Sequence, residues 1–242
     1  MGSPYLICVL QREHKEIRIA VPWGHIAARE WGDASSLTKV LCLHGWQDNA
    51  NSFEPLVQYF PPGFHVVAID FPGHGLSSHL PLGMAYNFSD WVVHVRRVTK
   101  DLQWKHCHIV AHSMGASVAM LYSGTFPEAV ESFVCFDLSS PVIHRVENGP
   151  DRLHEAADQI VKYDHEHYGL YDFEETVQRY IKSTFGSVTR ESGVLLMERG
   201  TTADGQGVTI TLPTRLTALM GTVASSQTTR VYSARKRGDA TA

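Results

Sequence analysis

Residues 106–120, HCHIVAHSMGASVAM, join a short apolar run to a serine and then to a series of small residues. The apolar run at 109–111 predicts a buried strand, and the small residues after the serine are compatible with a helix. Ser113 lies at the apex of the tight turn between them, and Ala111 and Gly115 flank it. A serine placed in this way exposes its hydroxyl to a substrate and a base. A serine that only caps a helix would fit the same residues, so this stretch needs support from elsewhere in the chain.

The length and composition favour a single globular domain. The chain has 242 residues, of which 43% are apolar, which is enough for a sizeable core and one inserted cap. Its formal net charge of −4 argues against a nucleic-acid binder, because such proteins carry a basic face. We therefore expect no nucleic-acid partner.

The cysteine and apolar patterns favour a cytoplasmic protein. No apolar run is long enough to span a bilayer, no stretch resembles a signal peptide, and the chain does not end in a peroxisomal tripeptide. The chain has four cysteines, Cys8, Cys42, Cys107 and Cys135, and their spacing is not that of metal ligands. Three of the four lie in or beside apolar runs, which is typical of buried thiols in a reducing compartment.

Four short apolar runs alternate with helix-like stretches in the first part of the chain. This alternation predicts a mostly parallel sheet with helices on both faces. An alternating pattern at 16–31 predicts a hairpin before it. Ligands of such sheets bind at the carboxyl ends of the strands, which is where Ser113 falls. The four predicted strands are 40–43, 66–69, 109–111 and 133–136.

The pattern divides the chain into three parts. We predict an α/β core at 16–140, a helical cap at 141–200 and a divergent, weakly structured tail at 201–242. An insertion that follows the fourth strand would lie over the catalytic face. No clear strand follows the cap, so the C-terminal strands of the sheet are expected to be missing. The strand at 133–136 would then lie at or near an edge, which favours self-association.

Several motifs carry a family resemblance over roughly residues 16–202. Their order resembles the α/β-hydrolase fold, and two further motifs are similar to the serine hydrolase-like protein family of animals. The resemblance implies a hydrolase of small ester, amide or related carbonyl substrates that uses no metal and no organic cofactor. The fold motifs are LCLHGWQDNANSF at 41–53, AIDFPGHGLSS at 68–78 and IVAHSMGASVAM at 109–120, and the further two are AVPWGHIAAREWG at 20–32 and MERGTT at 197–202.

The resemblance also implies roles for individual residues. Ser113 matches the nucleophile at the family's sharp strand-to-helix turn, the nucleophile elbow. The backbone N–H groups of Met114 and Trp46 match the oxyanion hole, where each donor contributes about 3–4 kcal/mol to transition-state binding. We expect a structural role for His44, hydrogen bonds from backbone N–H groups of the following turn to the carboxylate of Asp70, and a place for His112 in the pocket wall.

The base and acid of a serine triad are not evident. A serine nucleophile needs a histidine base and an orienting acid, which follow it along the chain in this fold. No histidine follows Tyr168. Asp137, after the fourth strand, is a candidate for the acid, and His144, seven residues later, is a candidate for the base.

Two functional hypotheses therefore remain open. The first is a serine hydrolase of the esterase type that works through an acyl-enzyme. The second is a truncated, catalytically impaired isoform or pseudoenzyme of the same family, with a binding or regulatory role. A metal site at residues 164–167, DHEH, is disfavoured because alternating histidines point to different faces of a helix.

Overall fold

The computed structural model describes residues 12–138, 153–155, 157–158, 161, 170–184, 186–203 and 207–211. Its centre is a six-stranded sheet with the order β1-β2-β4-β3-β5-β6. The strands are β1 (His14–Val21), β2 (Gly24–Trp31), β3 (Thr38–Leu43), β4 (Phe64–Ile69), β5 (Cys107–His112) and β6 (Val130–Phe136).

The sheet is mostly parallel. Strands β4, β3, β5 and β6 run parallel to one another, and the β1–β2 hairpin adds two antiparallel strands at one side. The helices are α1 (Glu54–Val57), α2 (Phe88–Asp101), α3 (Met114–Thr125), α4 (Phe173–Ser183) and α5 (Arg190–Gly200), with short 3₁₀ helices at Ala50–Phe53 and Pro127–Ala129. The predicted α/β architecture with flanking helices is confirmed.

Both faces of the sheet are buried, which explains why its central strands are continuously apolar. Side chains alternate between the faces along β3. Leu41 and Leu43 pack in the cluster that includes α2 and α3. Val40 and Cys42 pack in the cluster on the other face, together with Phe53 of the first 3₁₀ helix.

Helices α4 and α5 pack on each other and on the loop that follows β3. Side-chain amides of this loop bind the backbone of α5: Asn49 Nδ2 donates to the carbonyl oxygen of Leu196 at 2.9 Å, and Asn51 Nδ2 donates to that of Leu195. Apolar contacts between the two helices centre on Val177. The two helices are thereby fixed beside the carboxyl end of β3.

Strand β6 lies at an edge of the sheet in the described part of the chain. It pairs with β5, and its apolar side chains are unusually exposed, with Phe133 at 43%, Val134 at 51% and Phe136 at 46%. After α5, two short strands, β7 (Thr201–Ala203) and β8 (Val208–Ile210), pair with each other in a separate antiparallel sheet.

None of the helices within the described ranges is long and apolar enough to cross a membrane.

Candidate active site

Ser113 sits at a strained turn between β5 and α3. Its backbone has φ 47° and ψ −113°, a conformation that is rare for a residue with a side chain. Its N–H donates to the carbonyl oxygen of Phe136 at 3.0 Å, which ties the turn to the end of β6. Strain of this kind persists only where surrounding structure holds it, and it is concentrated at functional sites.

Gly115 allows the start of α3 to approach β3 closely. A Cβ atom at this position would lie 2.3 Å from the carbonyl oxygen of Leu43 and 2.6 Å from that of His44. Because both atoms belong to the backbone, only glycine fits here without a shift of the chain. At Ala111 the methyl group is fully buried within β5, so the smallest side chain is accommodated there.

The predicted oxyanion-hole residues lie at the start of α3 and in the loop after β3. Met114 is the first residue of α3, where backbone N–H groups have no partner within the helix. Trp46 lies in the tight turn after β3, closed by a hydrogen bond from the N–H of Asp48 to the carbonyl oxygen of Gly45 at 3.2 Å. Trp46 and Ser113 line the same cavity.

This cavity has a volume of about 490 Å³, which suits a small organic ligand. One part of its wall comes from the core, and another part comes from α4 and α5. The apolar lining includes Phe53, Leu56, Phe136, Leu195 and Leu196, and the polar lining includes Asp48, His112, Ser113, Asp137 and Tyr180.

His44 and Asp70 hold loops of the catalytic face in place. The buried ring of His44 accepts the N–H of Phe71 at Nε2 and donates from Nδ1 to the carbonyl oxygen of Gly45. Burial lowers the pKa of His44, consistent with a neutral ring that uses both nitrogens in structural bonds. The buried carboxylate of Asp70 accepts the N–H of Leu76, in the turn that the sequence indicated, at 2.8 Å.

Asp70 also accepts two contacts that the sequence does not signal. The N–H of Ala50 donates to it at 2.8 Å. The guanidinium of Arg199, from α5, binds both carboxylate oxygens through Nε at 2.8 and 3.0 Å. Arg199 lies in the MERGTT motif, which is one of the motifs that carry the family resemblance. No local sequence pattern indicates that its partner is Asp70.

His112 lines the cavity and pairs with a residue that the sequence analysis did not select. Its Nδ1 lies 3.2 Å from Oδ2 of Asp48, and Asp48 accepts the hydroxyl of Tyr180 at 2.8 Å. The hydrogen bond with Asp48 raises the pKa of His112. Burial would raise the pKa of Asp48, but the bonds from His112 and Tyr180 outweigh it and lower that pKa.

The candidate triad acid is near the cavity but is not joined to a base. Asp137 follows β6 with a left-handed backbone, φ 56°, and its side chain is 84% exposed. Its Oδ2 lies 4.0 Å from Nε2 of His112, beyond hydrogen-bond distance. The candidate base, His144, lies outside the described residues.

The described residues contain no group of three or more His, Cys, Asp or Glu side chains arranged to hold a metal ion. The DHEH segment at 164–167 lies outside them.

The chain is similar to known families, proteins and structures. The family model of the α/β hydrolase fold matches residues 38–179. Serine hydrolase-like protein 2 of Homo sapiens is 37% identical over 83% of this chain and 65% of its own length, and the serine hydrolase-like protein of Danio rerio is 38% identical over 78% and 59%. The crystal structure of a hypothetical protein from Pseudomonas aeruginosa PAO1 is 31% identical, covering 90% of this chain and 77% of that one, with a TM-score of 0.82.

The chain spans about three-fifths of the length of these curated relatives, 65% of the Homo sapiens protein and 59% of the Danio rerio protein. The family match covers more than half of the chain, and the resemblance to the serine hydrolase-like proteins is confirmed. The strained Ser113 turn and the mostly parallel sheet agree with these matches. The chain belongs to the α/β-hydrolase fold family and is related to its serine hydrolase-like proteins.

Proposed function

We propose that this chain is a serine hydrolase of the esterase type that forms an acyl-enzyme through Ser113. The observation that carries the proposal is the strained turn that places Ser113 at the wall of a cavity of about 490 Å³. A serine that only began a helix would not need a left-handed backbone. The fold family and the serine hydrolase-like relatives support the same chemistry.

The proposed reaction assigns one role to each of these residues. Oγ of Ser113 attacks the substrate carbonyl carbon, and the N–H groups of Met114 and Trp46 receive the negative charge that develops on its oxygen. The proton of the Ser113 hydroxyl passes through the base to the alcohol or amine, which leaves as its bond to the acyl carbon breaks. Water then attacks the acyl carbon, the carboxylic acid departs, and a proton from the water restores the serine hydroxyl. Asp137 and His144 remain the candidates for the orienting acid and the base.

The cavity favours a small, uncharged ester or amide as the substrate. Its lining combines aromatic and aliphatic side chains with the carboxylates of Asp48 and Asp137. Lysine and arginine are absent from the described lining residues, and the imidazole of His112 is already paired with Asp48, so an anionic substrate would meet no unpaired cation there. We therefore expect neutral acyl groups to bind more tightly than dicarboxylates.

The second candidate function is that of a catalytically impaired, truncated isoform or pseudoenzyme with a binding or regulatory role. One observation favours it: His112 is the single described histidine that lines the cavity, and its Nδ1 is already paired with Asp48. Of the histidines after Ser113, the described residues include His154, which forms an exposed pair with Asp158.

Covalent labelling tests the proposal. We expect a fluorophosphonate probe to add to the peptide that contains Ser113, and Ser113→Ala to abolish the adduct. Ser123→Ala, a change of the same kind on the partly buried face of α3, is the control and should label like the wild type. Equal labelling of Ser113→Ala would overturn the assignment. Labelling without turnover of a neutral activated ester would favour the impaired family member.

We also propose the domain organisation and environment that the sequence indicates: an α/β core at 16–140, a cap at 141–200, a divergent tail at 201–242, and a cytoplasmic location. In support of a cap, α4 and α5 contribute Tyr180, Leu195 and Leu196 to the cavity wall. Substitutions on these helices should therefore change substrate preference.

Self-association through the exposed edge strand β6 is expected when the chain is produced alone. An exposed apolar edge offers unpaired backbone groups and apolar side chains to a second copy, and a lysine there opposes such pairing. Val134→Lys should therefore reduce the oligomeric fraction in sedimentation velocity. Leu37→Lys, at a side chain that is 93% exposed just before β3, which β5 separates from β6, should not. A wild type that sediments as a single monomer would contradict this proposal.

A further inference from the structure

We propose that Asp48 is a positioning residue for the oxyanion loop, Gly45–Asp48, held from the core by His112 and from helix α4 by Tyr180. The inference rests on the proposed function and extends it, because it couples the docking of α4 to the geometry that receives the developing charge. Neither Asp48 nor Tyr180 needs to touch the substrate for this role. Both act through the backbone that presents the N–H of Trp46.

The oxyanion loop carries backbone strain. Gln47, between Trp46 and Asp48, has φ 61°, in the left-handed region that residues with side chains rarely adopt. The single backbone hydrogen bond that closes the turn, from Asp48 N–H to the carbonyl oxygen of Gly45, is 3.2 Å long. A strained turn with so little internal bonding depends on surrounding contacts to keep one conformation.

His112 supplies the contact from the core. Its ring lies directly on the loop backbone, since a Cβ atom on Gly45 would be 2.6 Å from Nδ1 of His112 and 3.0 Å from Oδ2 of Asp48. The imidazole therefore contacts the first residue of the loop while it binds the side chain of the last. Trp46 lies between Gly45 and Asp48, the two loop residues that the ring of His112 contacts.

Tyr180 supplies the contact from α4. Its hydroxyl donates to Oδ1 of Asp48 at 2.8 Å, and the two residues are 132 positions apart in the chain. The other carboxylate oxygen, Oδ2, faces His112. Both oxygens of Asp48 are thus occupied from different structural elements, and its side chain is only 13% exposed. A change in the position of α4 would release one of these two contacts.

The charges around the pair favour the same arrangement. His112 faces the carboxylates of Asp48 and Asp137, and Asp48 faces His112, Tyr180 and the neutral ring of His44. Asp48 raises the pKa of His112, and the pKa of Asp48 itself is lowered, so Asp48 stays ionised while His112 titrates. The contact is an ion pair below the pKa of His112 and a hydrogen bond between the neutral imidazole and the carboxylate above it. The contact that positions the loop is therefore stronger at pH values at which His112 is protonated and Asp48 is ionised.

The test is the rate of fluorophosphonate labelling, separated into the maximal rate kinact and the binding constant KI. The phosphoryl oxygen of the probe occupies the oxyanion hole, so a displaced loop should lower kinact and leave KI nearly unchanged. We expect Tyr180→Phe to lower kinact about tenfold, as for one lost hydrogen bond to a charged group. Asp48→Asn should have a larger effect and lower kinact by up to about 10²-fold relative to the wild type. This is the cost of displacing a positioned group by about 1 Å.

Tyr59→Phe is the matched control because its side chain is 80% exposed and lies outside the residues that line the cavity. It should label like the wild type. Unchanged kinact in both Tyr180→Phe and Asp48→Asn would overturn the inference, and so would a rise in KI with no change in kinact. Tyr180→Phe keeps the inference testable if Asp48→Asn fails to fold.

An NMR titration of the His112 ring provides a readout that does not depend on labelling. The pKa should be above the ordinary histidine value in the wild type and should fall in Asp48→Asn, because the carboxylate that favours the imidazolium is gone. An equal pKa in the two proteins would overturn the inference. Absence of wild-type labelling together with the expected fall in pKa would overturn the proposed function and leave the contact established.

Discussion

Arg199→Met is expected to lower the free energy of unfolding by about 3–5 kcal/mol, the usual cost of removing one partner of a buried ion pair. Arg199 is 2% exposed, and its partner Asp70 is fully buried. Nε of Arg199 binds Asp70 at 2.8 Å, and Nη1 binds Oε1 of Glu16 on β1 at 2.6 Å. Methionine fills similar space but leaves the Asp70 carboxylate in the interior without a cation.

The loss of the Arg199 guanidinium should also weaken the attachment of α5 to the rest of the fold. Arg199 is in α5, Asp70 follows β4 and Glu16 is in β1, so one guanidinium joins α5 to β1 and to the segment after β4. Asp70 would still accept the N–H groups of Ala50 and Leu76, which limits the loss. We therefore expect a destabilised fold rather than an unfolded chain.

Urea denaturation monitored by tryptophan fluorescence measures this loss. Arg190→Met is the matched control: it changes the same residue type in the same helix and removes an ion pair of comparable length, with Glu174 at 2.7 Å. Both side chains of that pair are about half exposed, so its loss should leave the unfolding midpoint almost unchanged. Equal unfolding midpoints for the two variants would show that the buried Arg199–Asp70 pair contributes no more stability than the exposed pair.

Strand positions could be predicted from sequence because each central strand is buried on both faces. The apolar runs predict the ends of β3, β4 and β5 to within two residues, and the alternating pattern predicts the hairpin. Strand β6 was predicted to begin at Phe133, whereas it begins at Val130. Glu131 and Ser132 continue the strand as exposed residues at its edge, where burial imposes no apolar pattern.

The candidate site could be predicted only where its signal is local. Ser113 and Gly115 are adjacent to the turn that they shape, and the sequence identified both. The contacts of Asp48 with Tyr180 and of Asp70 with Arg199 join residues 132 and 129 positions apart. Such pairs depend on how α4 and α5 dock on the loop after β3, and no periodicity or spacing in a single sequence records that docking.

Gly115→Ala is expected to cost about 1–3 kcal/mol of stability, the range for inserting a methyl group into a packed interior. The new Cβ atom would lie 2.3 Å from the carbonyl oxygen of Leu43, and relief requires α3 and β3 to separate. Alanine would otherwise favour the helix by about 1 kcal/mol, so a net loss shows that the close approach dominates.

The same substitution should impair the site more than the fold. Separation of α3 from β3 moves the N–H of Met114 and the hydroxyl of Ser113 away from Trp46 on the facing loop. A displacement near 1 Å is enough to slow a positioned reaction by about 10²-fold, so fluorophosphonate labelling should fall by roughly that factor. Thermal unfolding and labelling rate, measured on the same sample, separate the two effects.

Gly124→Ala is the control, because Gly124 lies near the other end of the same helix and is half-buried. There the methyl group should add helix stability of up to about 1 kcal/mol, and labelling should stay at the wild-type rate. If Gly115→Ala were as stable as Gly124→Ala and labelled as fast, the contact between the start of α3 and the end of β3 would not be what positions Ser113. If Gly115→Ala were as stable as the wild type but were labelled slowly, the contact would serve only to align the nucleophile with the oxyanion loop.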